Sequence, residues 1–329
     1  MKRREFITLL GGATVAWPLA ARAQVPPKRR PLIAWLSGGR TKGPAGTYPA
    51  NFLEGMREFG YIEGRDFSVE YRFAEGLHDR LPVLAEEVVL LKPDVILAAA
   101  VDAAVLVRKA TAVIPIVSAA LADPVHLGLI ASEARPGGNV TGVEPYVPGL
   151  PAKQMEFARE IAPAANRVGL LTNLQDPKAP PQRQEMERAG EALKIATVVA
   201  DANKPGEIEG ALQTLASQRV DVVLVLQTTM LLNLGQRIAE LAIEKRLPTV
   251  YGYREHVVAG GLISYGVDLR WCFRRTAYFV DKILRGTLPG DLPVEFPTKM
   301  VLSINLKTAK ALGIEVPPTL LARADEVIE

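Results

Sequence analysis

Short runs of Val, Ile and Leu recur along the chain, and a helical pattern follows each of them. The first set of runs covers residues 31–38, 66–74, 93–100 and 114–120, and the second set covers 167–173, 195–201, 220–227, 248–253 and 262–266. Because these runs are apolar throughout and are separated by helices of about 10–15 residues, they predict parallel strands that are covered on both faces. Two successive sets predict an α/β fold of two doubly wound parallel-sheet lobes that join near residues 143–150.

Residues 1–23 have the pattern of an export signal. Three basic residues at positions 2–4 precede an apolar run over 6–20, and Ala-Arg-Ala at 21–23 is a small-x-small cleavage pattern. The apolar run is shorter than the roughly 20 residues that a membrane-spanning helix needs, which favours a cleaved signal peptide over an uncleaved anchor. The paired arginines followed by Glu-Phe-Ile favour the twin-arginine route over an ordinary export signal. We therefore predict a periplasmic location.

The formal charge of the chain without this signal is balanced. The full sequence has 39 Lys and Arg residues and 36 Asp and Glu residues, and removal of residues 1–23 leaves 35 of each. The positive excess belongs to the signal, and no later run of basic residues with interleaved aromatics predicts a nucleic-acid partner. The single cysteine, Cys272, lies in an amphipathic helical pattern, which predicts a buried structural thiol.

The carboxyl ends of the predicted strands define a candidate ligand site, because ligands of open α/β sheets bind outside those ends. The residues at these ends are Ser37, Gly38, Ala99–Asp102, Ser118–Ala120, Asn173, Gln227–Thr229, Tyr251 and Tyr253. Small and neutral polar residues dominate, and the aromatic residues come from the second set. This composition predicts a cleft that holds a small organic molecule by hydrogen bonds and stacking. The tyrosines, including Tyr265, are equally consistent with packing at a hinge.

Two acidic residues, Asp102 and Asp123, each follow a predicted strand at the start of a helix. A carboxylate in that position either caps the helix or faces an amine in the cleft. The helix after Asp123 is predicted over 124–134.

No motif for phosphate binding, nucleophilic catalysis or metal binding is recognised in the sequence. The glycines of SGGRTKG (37–43) lack the spacing of a phosphate-binding loop, and Ser264 in GGLISYG is not in a nucleophile elbow. The three histidines, His78, His126 and His256, are far apart and have no HExxH or cysteine partner. The sequence therefore predicts no metal, no cofactor and no enzymatic activity.

Several longer stretches together resemble one protein family. They are RREFITLLGGA with WPLAARAQ, YIEGRDFSVEYRFAEG, ADPVHLGLIASEARPGGNVTGV, REHVVAGGLISYG and VLSINLKTAKALGIEVPPTLLARADEVI. The resemblance is to bacterial ABC-transporter substrate-binding proteins, which are periplasmic binding proteins of the type I architecture, akin to those implicated in aromatic amino acid uptake. It covers essentially the whole chain, including the signal.

The resemblance implies two lobes that are joined by three hinge crossings. Lobe one is expected over 31–143 plus 268–286, lobe two over 144–253 plus 290–329, and the return hinge region over 254–267. In such proteins the ligand closes the lobes, and the closed form docks on a membrane permease. The ligand contacts that the resemblance implies are Ser37, Gly38, Ala100, Asp102, Ser118, Asp123, Thr141, Asn173, Gln227, Tyr251 and Tyr265.

One departure from the family bears on the ligand. The loop after the third strand reads AAAVDAA, whereas many relatives carry a small loop with Gly, Thr or Pro. The loop is more apolar and adds Asp102, so the aromatic amino acid specificity of the relatives is not carried over to this chain.

The predicted function is therefore that of a periplasmic solute-binding protein. It captures a small organic molecule between two lobes and delivers it to the permease of an ABC importer, as a monomer without a membrane segment after signal removal. Two alternatives remain open: a ligand-sensing module for a membrane receptor, and an exported α/β enzyme. A sugar-responsive repressor of the same architecture would need a DNA-binding helix-turn-helix where the export signal lies.

Overall fold

The computed structural model describes residues 29–42 and 44–329, and Pro31–Glu329 form one compact unit. The predicted signal peptide over 1–23 lies outside the described residues. Within the described part of the chain, no helix combines the length and the apolar character that are needed to cross a membrane.

The first sheet has five parallel strands in the order β2-β1-β3-β4-β5. The strands are β1 (Leu32–Ser37), β2 (Ser68–Phe73), β3 (Val95–Ala98), β4 (Ile116–Ser118) and β5 (Val140–Gly142). Its helices are α1 (Pro44–Glu58), α2 (Leu81–Leu90), α3 (Val101–Ala110) and the later α10 (Leu269–Leu284). We call this sheet and these helices lobe one.

The second sheet has seven strands in the order β12-β11-β10-β9-β8-β6-β7. The strands are β6 (Arg167–Thr172), β7 (Ala196–Asp201), β8 (Val222–Val225), β9 (Thr249–Tyr251), β10 (Ile263–Val267), β11 (Met300–Asn305) and β12 (Glu326–Ile328). Its helices are α4 (Leu150–Ile161), α5 (Ala179–Leu193), α6 (Ile208–Ser217), α7 (Thr229–Asn233), α8 (Gly235–Glu244), α9 (Arg254–Val258), α11 (Leu306–Leu312) and α12 (Pro318–Leu321). Among its pairs only β10 and β11 run antiparallel. We call this part lobe two, and the predicted fold class of two parallel-sheet α/β lobes is confirmed.

Both faces of each sheet are buried at the inner strands β1, β3 and β8, as the apolar runs predict, whereas the edge strands β2, β7 and β12 are partly exposed. In β1, Ile33 and Trp35 belong to an apolar cluster with α1 and α10, whereas Ala34 and Leu36 belong to a cluster with α2 and α3. This alternation follows from the side-chain direction in a strand, which reverses at each residue. Cys272 of α10 is fully buried in the first of these clusters, which confirms the prediction of a buried thiol.

Three chain segments connect the lobes: residues 143–149, residues around Asp268, and residues 292–299. The third runs beside the end of β5, where the Thr141 hydroxyl donates to the carbonyl of Leu292 at 2.7 Å and Glu295 N–H donates to the carbonyl of Gly142 at 3.0 Å. Asp268 caps α10 by accepting a hydrogen bond from Arg270 N–H at 3.0 Å. The first and third of these segments lie side by side, since Val143 and Glu295 form a parallel β-bridge.

The helix predicted over 124–134 is wrong, because these residues form turns. Asp123 and Gly128 both have left-handed backbone, with φ of 46° and 66°. A residue in that region breaks the repeating backbone geometry of a right-handed helix.

Candidate functional site

The carboxyl ends of strands from both lobes meet around one cavity, which we call the inner chamber. Lobe one contributes Ser37, Gly38, Gly39, Tyr48, Ala99, Ala100, Ala120, Leu269 and Phe273, and lobe two contributes Lys178, Thr228, Thr229, Leu232, Asn233 and Tyr253. The cavity volume is about 40 Å³. One buried water needs about 10–15 Å³, so the chamber has room for a few water molecules only.

Aromatic rings form one wall of the inner chamber. Tyr48 of α1 and Phe273 of α10 are stacked with ring centres 4.2 Å apart, and Trp35 of β1 lies behind Phe273 at 5.5 Å. Tyr253 comes from lobe two and packs into the same apolar cluster. Burial raises the pKa of the Tyr253 hydroxyl to about 12 and raises that of Tyr48 as well, so both are neutral at physiological pH. The wall offers apolar aromatic surface to a ligand.

A buried ion pair reaches the chamber from the loop after β6. The Asp176 carboxylate accepts hydrogen bonds from Thr229 N–H and Lys178 N–H, each at 3.0 Å, and Lys178 Nζ lies 3.7 Å from Asp176 Oδ2. Burial opposes the charge on Lys178, but nearby negative groups, Asp176 first, outweigh it and raise the pKa of the ammonium. At 3.7 Å this ion pair is longer than an ordinary hydrogen bond, and the Lys178 ammonium carries three donors.

A second carboxylate, Asp102, faces this pair from lobe one. It lies in the first turn of α3, where its Oδ1 accepts from Ala103 N–H at 2.8 Å. Its Oδ2 is buried, lies 3.5 Å from His78 Nδ1, and has no hydrogen-bond partner within the described residues. Burial, and then the charge of Asp176, raise the pKa of Asp102. The side chain thus satisfies its own helix start and also presents one oxygen to the cleft.

A larger cavity adjoins the inner chamber, and we call it the polar chamber. Its volume is about 380 Å³, and its lining residues are Gly76–Asp79 and Asp102 from lobe one, and Asn173, Gln175–Pro177, Asn203–Pro205 and Met230 from lobe two. A Cβ atom added to Gly38, which lines the inner chamber, would lie 3.2 Å from Asp102 Oδ2. The two chambers therefore meet at the charged residues.

Five of the eleven predicted contact residues lie at the chambers. Ser37, Gly38 and Ala100 line the inner chamber, and Asp102 and Asn173 line the polar chamber. Ser118 lies directly below the inner chamber, where its hydroxyl accepts from the N–H of the lining residue Ala120 at 3.3 Å.

The other five occupy the core, the hinge or the surface. Thr141 bonds to the third crossing, and Gln227 joins the ends of β8 and β9 by donating to the carbonyl of Gly252 at 3.1 Å. Tyr251 stacks on His256 at 4.6 Å, and Tyr265 packs against Phe157 at 4.8 Å. Asp123 is exposed, and its backbone N–H donates to Glu144 Oε1.

Sequence reasoning missed Tyr48, Asp176, Lys178 and Phe273. Asp176 and Lys178 follow Asn173 in the string NLQDPK, so a search that extended a few residues beyond each strand end would have found them. Tyr48 and Phe273 lie on helices that approach the strand ends from the side, and no local pattern marks them. The described residues contain no group of three or more His, Cys, Asp or Glu side chains that could hold a metal ion.

Another hollow, of about 670 Å³, lies on lobe one between β2, α1 and α2, where Tyr71, Arg72 and Glu87 line it. It is larger than either chamber, but it lies wholly within lobe one. Since ligands of such sheets bind at the strand ends, we place the functional site at the two chambers.

Comparisons with known proteins agree with this architecture. A Clostridioides difficile (strain R20291) tyrosine-binding protein is 25% identical over 264 residues, which cover 80% of this chain and 76% of the relative. A conserved domain protein from Vibrio cholerae has a solved structure that is 28% identical and covers 90% of this chain and 99% of its own, with a TM-score of 0.85. The structure of a Streptococcus ABC domain in complex with L-Trp shares the fold at 24% identity, with coverage of 91% and 100% and a TM-score of 0.84.

The family comparison covers most of the chain and confirms the resemblance seen in the sequence. The matching family is described as ABC transporter substrate binding protein, and its model matches residues 48–328. The match covers four of the five strands of lobe one and all seven strands of lobe two, and the chain belongs to this family of ABC transporter substrate-binding proteins.

Proposed function

We propose that this protein captures a small aromatic solute that carries both a carboxylate and an ammonium group, and delivers it to an ABC importer. The observation that carries the proposal is the pair Asp102 and Lys178, which are buried, opposite in charge and contributed by different lobes. Asp102 Oδ2 has no hydrogen-bond partner among the described residues, and the Lys178 ammonium carries three donors. The relative that is named for tyrosine binding and the similar structure that contains L-Trp support an amino-acid-like ligand.

The charges assign the orientation of such a ligand. Its carboxylate accepts from the Lys178 ammonium, its ammonium donates to Asp102 Oδ2, and its ring lies on the wall formed by Tyr48 and Phe273. Charge-assisted hydrogen bonds to buried groups are worth about 1.5–3 kcal/mol each, and an aromatic pair adds about 0.5–1.5 kcal/mol. The two ends of the ligand thus bind different lobes.

Capture follows from this division of contacts. A ligand that contacts both lobes at once favours the closed arrangement over the open one, and it shifts the population by its difference in affinity for the two. Because the inner chamber has room for only a few water molecules, the lobes must move apart to admit a ring, and in the liganded form they stay farther apart than in this structure. The three crossings provide the hinge for that motion.

We also propose an export route for the protein and a membrane partner. The signal pattern directs the protein to the periplasm through the twin-arginine route, where it acts as a monomer without a covalent step. Co-purification of an ABC permease with the liganded protein tests delivery, and capture of a receptor in its place would favour the sensing alternative.

A matched set of ligands tests the charge assignment. Isothermal titration calorimetry of the chain from Gln24 onward should compare tyrosine, tyramine and the arylpropionate that lacks the amine. Tyrosine should bind at least tenfold more tightly than either analogue, since each analogue lacks one charge-assisted contact. A solute at 100 times its dissociation constant should also add about 2.7 kcal/mol to the free energy of unfolding. Stabilisation by a non-aromatic solute class alone would overturn the proposal.

Two variants assign the roles of the charged residues. Lys178→Met should weaken tyrosine binding at least tenfold and leave tyramine binding within about twofold, because tyramine has no carboxylate. Asp102→Asn should weaken tyrosine and tyramine and spare the arylpropionate. The exposed Lys307→Met is the control for loss of a positive charge. Equal losses for all three ligands in Lys178→Met would indicate a structural role for this lysine.

A further inference from the structure

The residues that line the polar chamber include two with unused hydrogen-bond acceptors, one from each lobe. They are Asp102 and Asn203, whose Oδ2 and Oδ1 atoms respectively are buried and have no donor partner within the described residues. Asn203 is held in place, because its Nδ2 donates to Asp201 Oδ2 at 2.7 Å and its backbone N–H donates to Glu207 Oε2 at 2.8 Å. An unpartnered buried acceptor is costly unless a donor reaches it, so Asp102 and Asn203 leave two acceptors beside the chamber for a donor that a ligand brings.

The chamber is also acidic. Asp79, Asp102 and Asp176 contribute carboxylates, against one lysine, Lys204, and the imidazole of His78. Carboxylates and an amide oxygen suit a cationic group that is rich in N–H donors. The volume of about 380 Å³ exceeds what a single ammonium group fills.

The position of the chamber fixes which end of a ligand reaches it. Lys178 lines the inner chamber, whereas Asp102 and Asp176 line the polar chamber. A ligand with its carboxylate on Lys178 and its ring on the aromatic wall therefore directs its nitrogen toward Asp102. Any extension that enters the polar chamber must be attached to that nitrogen.

We propose that the polar chamber is a second subsite, and that the preferred ligand is a dipeptide-like molecule with an aromatic C-terminal residue. Its carboxylate binds Lys178, its amide N–H donates to Asp102, and its terminal ammonium lies between Asn203 and Asp79. This inference rests on the proposed function, because it uses the same orientation in the inner chamber.

Calorimetry with glycyl-tyrosine, tyrosine and tyrosyl-glycine tests the proposal. Glycyl-tyrosine should bind at least tenfold more tightly than tyrosine, and tyrosyl-glycine should bind more weakly than either, since its extension replaces the carboxylate that Lys178 needs. Tyrosine binding as tightly as glycyl-tyrosine would overturn the second subsite and leave the proposed function intact. Failure of all three to bind would overturn both.

A variant in the polar chamber distinguishes a ligand subsite there from a general loss of ligand binding. Asn203→Leu keeps the side-chain size and removes the acceptor, so it should weaken glycyl-tyrosine at least fivefold and change tyrosine by less than twofold. Asn51→Leu on α1, outside both chambers, is the matched control. Equal weakening of both ligands by Asn203→Leu would contradict the subsite.

Discussion

Glu144 is a buried carboxylate in the first crossing between the lobes. It is 5% exposed, and its Oε1 accepts a hydrogen bond from Asp123 N–H at 2.8 Å. Burial, with smaller contributions from Glu133 and Asp123, raises the pKa of Glu144 from its ordinary value to about 7. The Glu144 carboxyl therefore titrates near neutral pH.

This pKa predicts how stability depends on pH. The folded state keeps the Glu144 proton up to about pH 7, whereas the unfolded chain releases it near its ordinary pKa of 4.5. The stabilisation is therefore complete below pH 4.5 and is lost as the pH rises to about 7. Glu144→Gln, which keeps the acceptor oxygen, should melt at a higher temperature than the wild type at pH 8 and at nearly the same temperature at pH 4.5.

Thermal unfolding at several pH values measures this difference, with the exposed Glu156→Gln as control. A constant difference between Glu144→Gln and the wild type across pH 4.5–8 would show that the Glu144 carboxyl does not titrate in the folded state as stated.

A residue of the site could be predicted from the sequence where the end of a strand alone determines its position. Ser37, Gly38 and Ala100 follow directly from the ends of apolar runs, and the sheet topology brings them together. Lys178 reaches the chamber because of the shape of the loop after β6, and Phe273 because α10 returns to lobe one from the distant end of the chain. The return of α10 leaves no local signal in the sequence, whereas Lys178 can be found by extending the search a few residues beyond the end of β6.

At the scale of elements, the contact between α1 and α10 depends on one glycine. A Cβ atom added to Gly55 would lie 2.4 Å from the carbonyl oxygen of Arg274 and 2.8 Å from Ala277 Cβ. The first distance is shorter than any stable contact to a backbone atom, so the helices approach each other only because position 55 has no side chain.

Gly55→Ala should therefore lower the stability of the protein by about 1–3 kcal/mol, the usual cost of overpacking a core. Gly210→Ala in α6 is the matched control, because nothing lies within 4 Å of its added Cβ atom. That variant should gain about 0.5–1 kcal/mol from the better helix propensity of alanine. Urea unfolding of the two variants measures both changes in the free energy of unfolding. Stabilisation by Gly55→Ala would contradict the close packing of α1 on α10.

The elements that the sequence predicts well are those with a strong repeating pattern. All the apolar runs are strands, since a buried parallel strand tolerates few polar residues. The segment 124–134 carried a weaker pattern, and backbone geometry at Asp123 and Gly128 decided its conformation. Residues 300–305 form β11, which pairs antiparallel with β10.

At the scale of the molecule, the lobes are held close together across the cleft. Gly38 of lobe one and Thr229 of lobe two both line the inner chamber, and Tyr253 of lobe two packs into an apolar cluster of lobe one. The repeated strand pattern predicts two lobes, but their separation depends on such contacts between distant residues. A sequence pattern therefore predicts the two lobes but does not determine the distance between them.

A reversible crosslink tests whether the lobes must separate to admit a solute. A Cβ atom at Gly38 would lie 3.6 Å from Thr229 Cγ2, so cysteines at both positions have Cβ atoms near the range that a disulfide requires. Cys272 is fully buried and does not compete for this bond. The oxidised Gly38→Cys, Thr229→Cys protein should bind tyrosine at least 100-fold more slowly than the reduced protein in stopped-flow fluorescence, and dithiothreitol should restore the rate.

The single-cysteine variants control for changes to the chamber itself. Equal association rates before and after reduction would mean that solutes reach the inner chamber without opening of the lobes, and capture by closure would then be wrong.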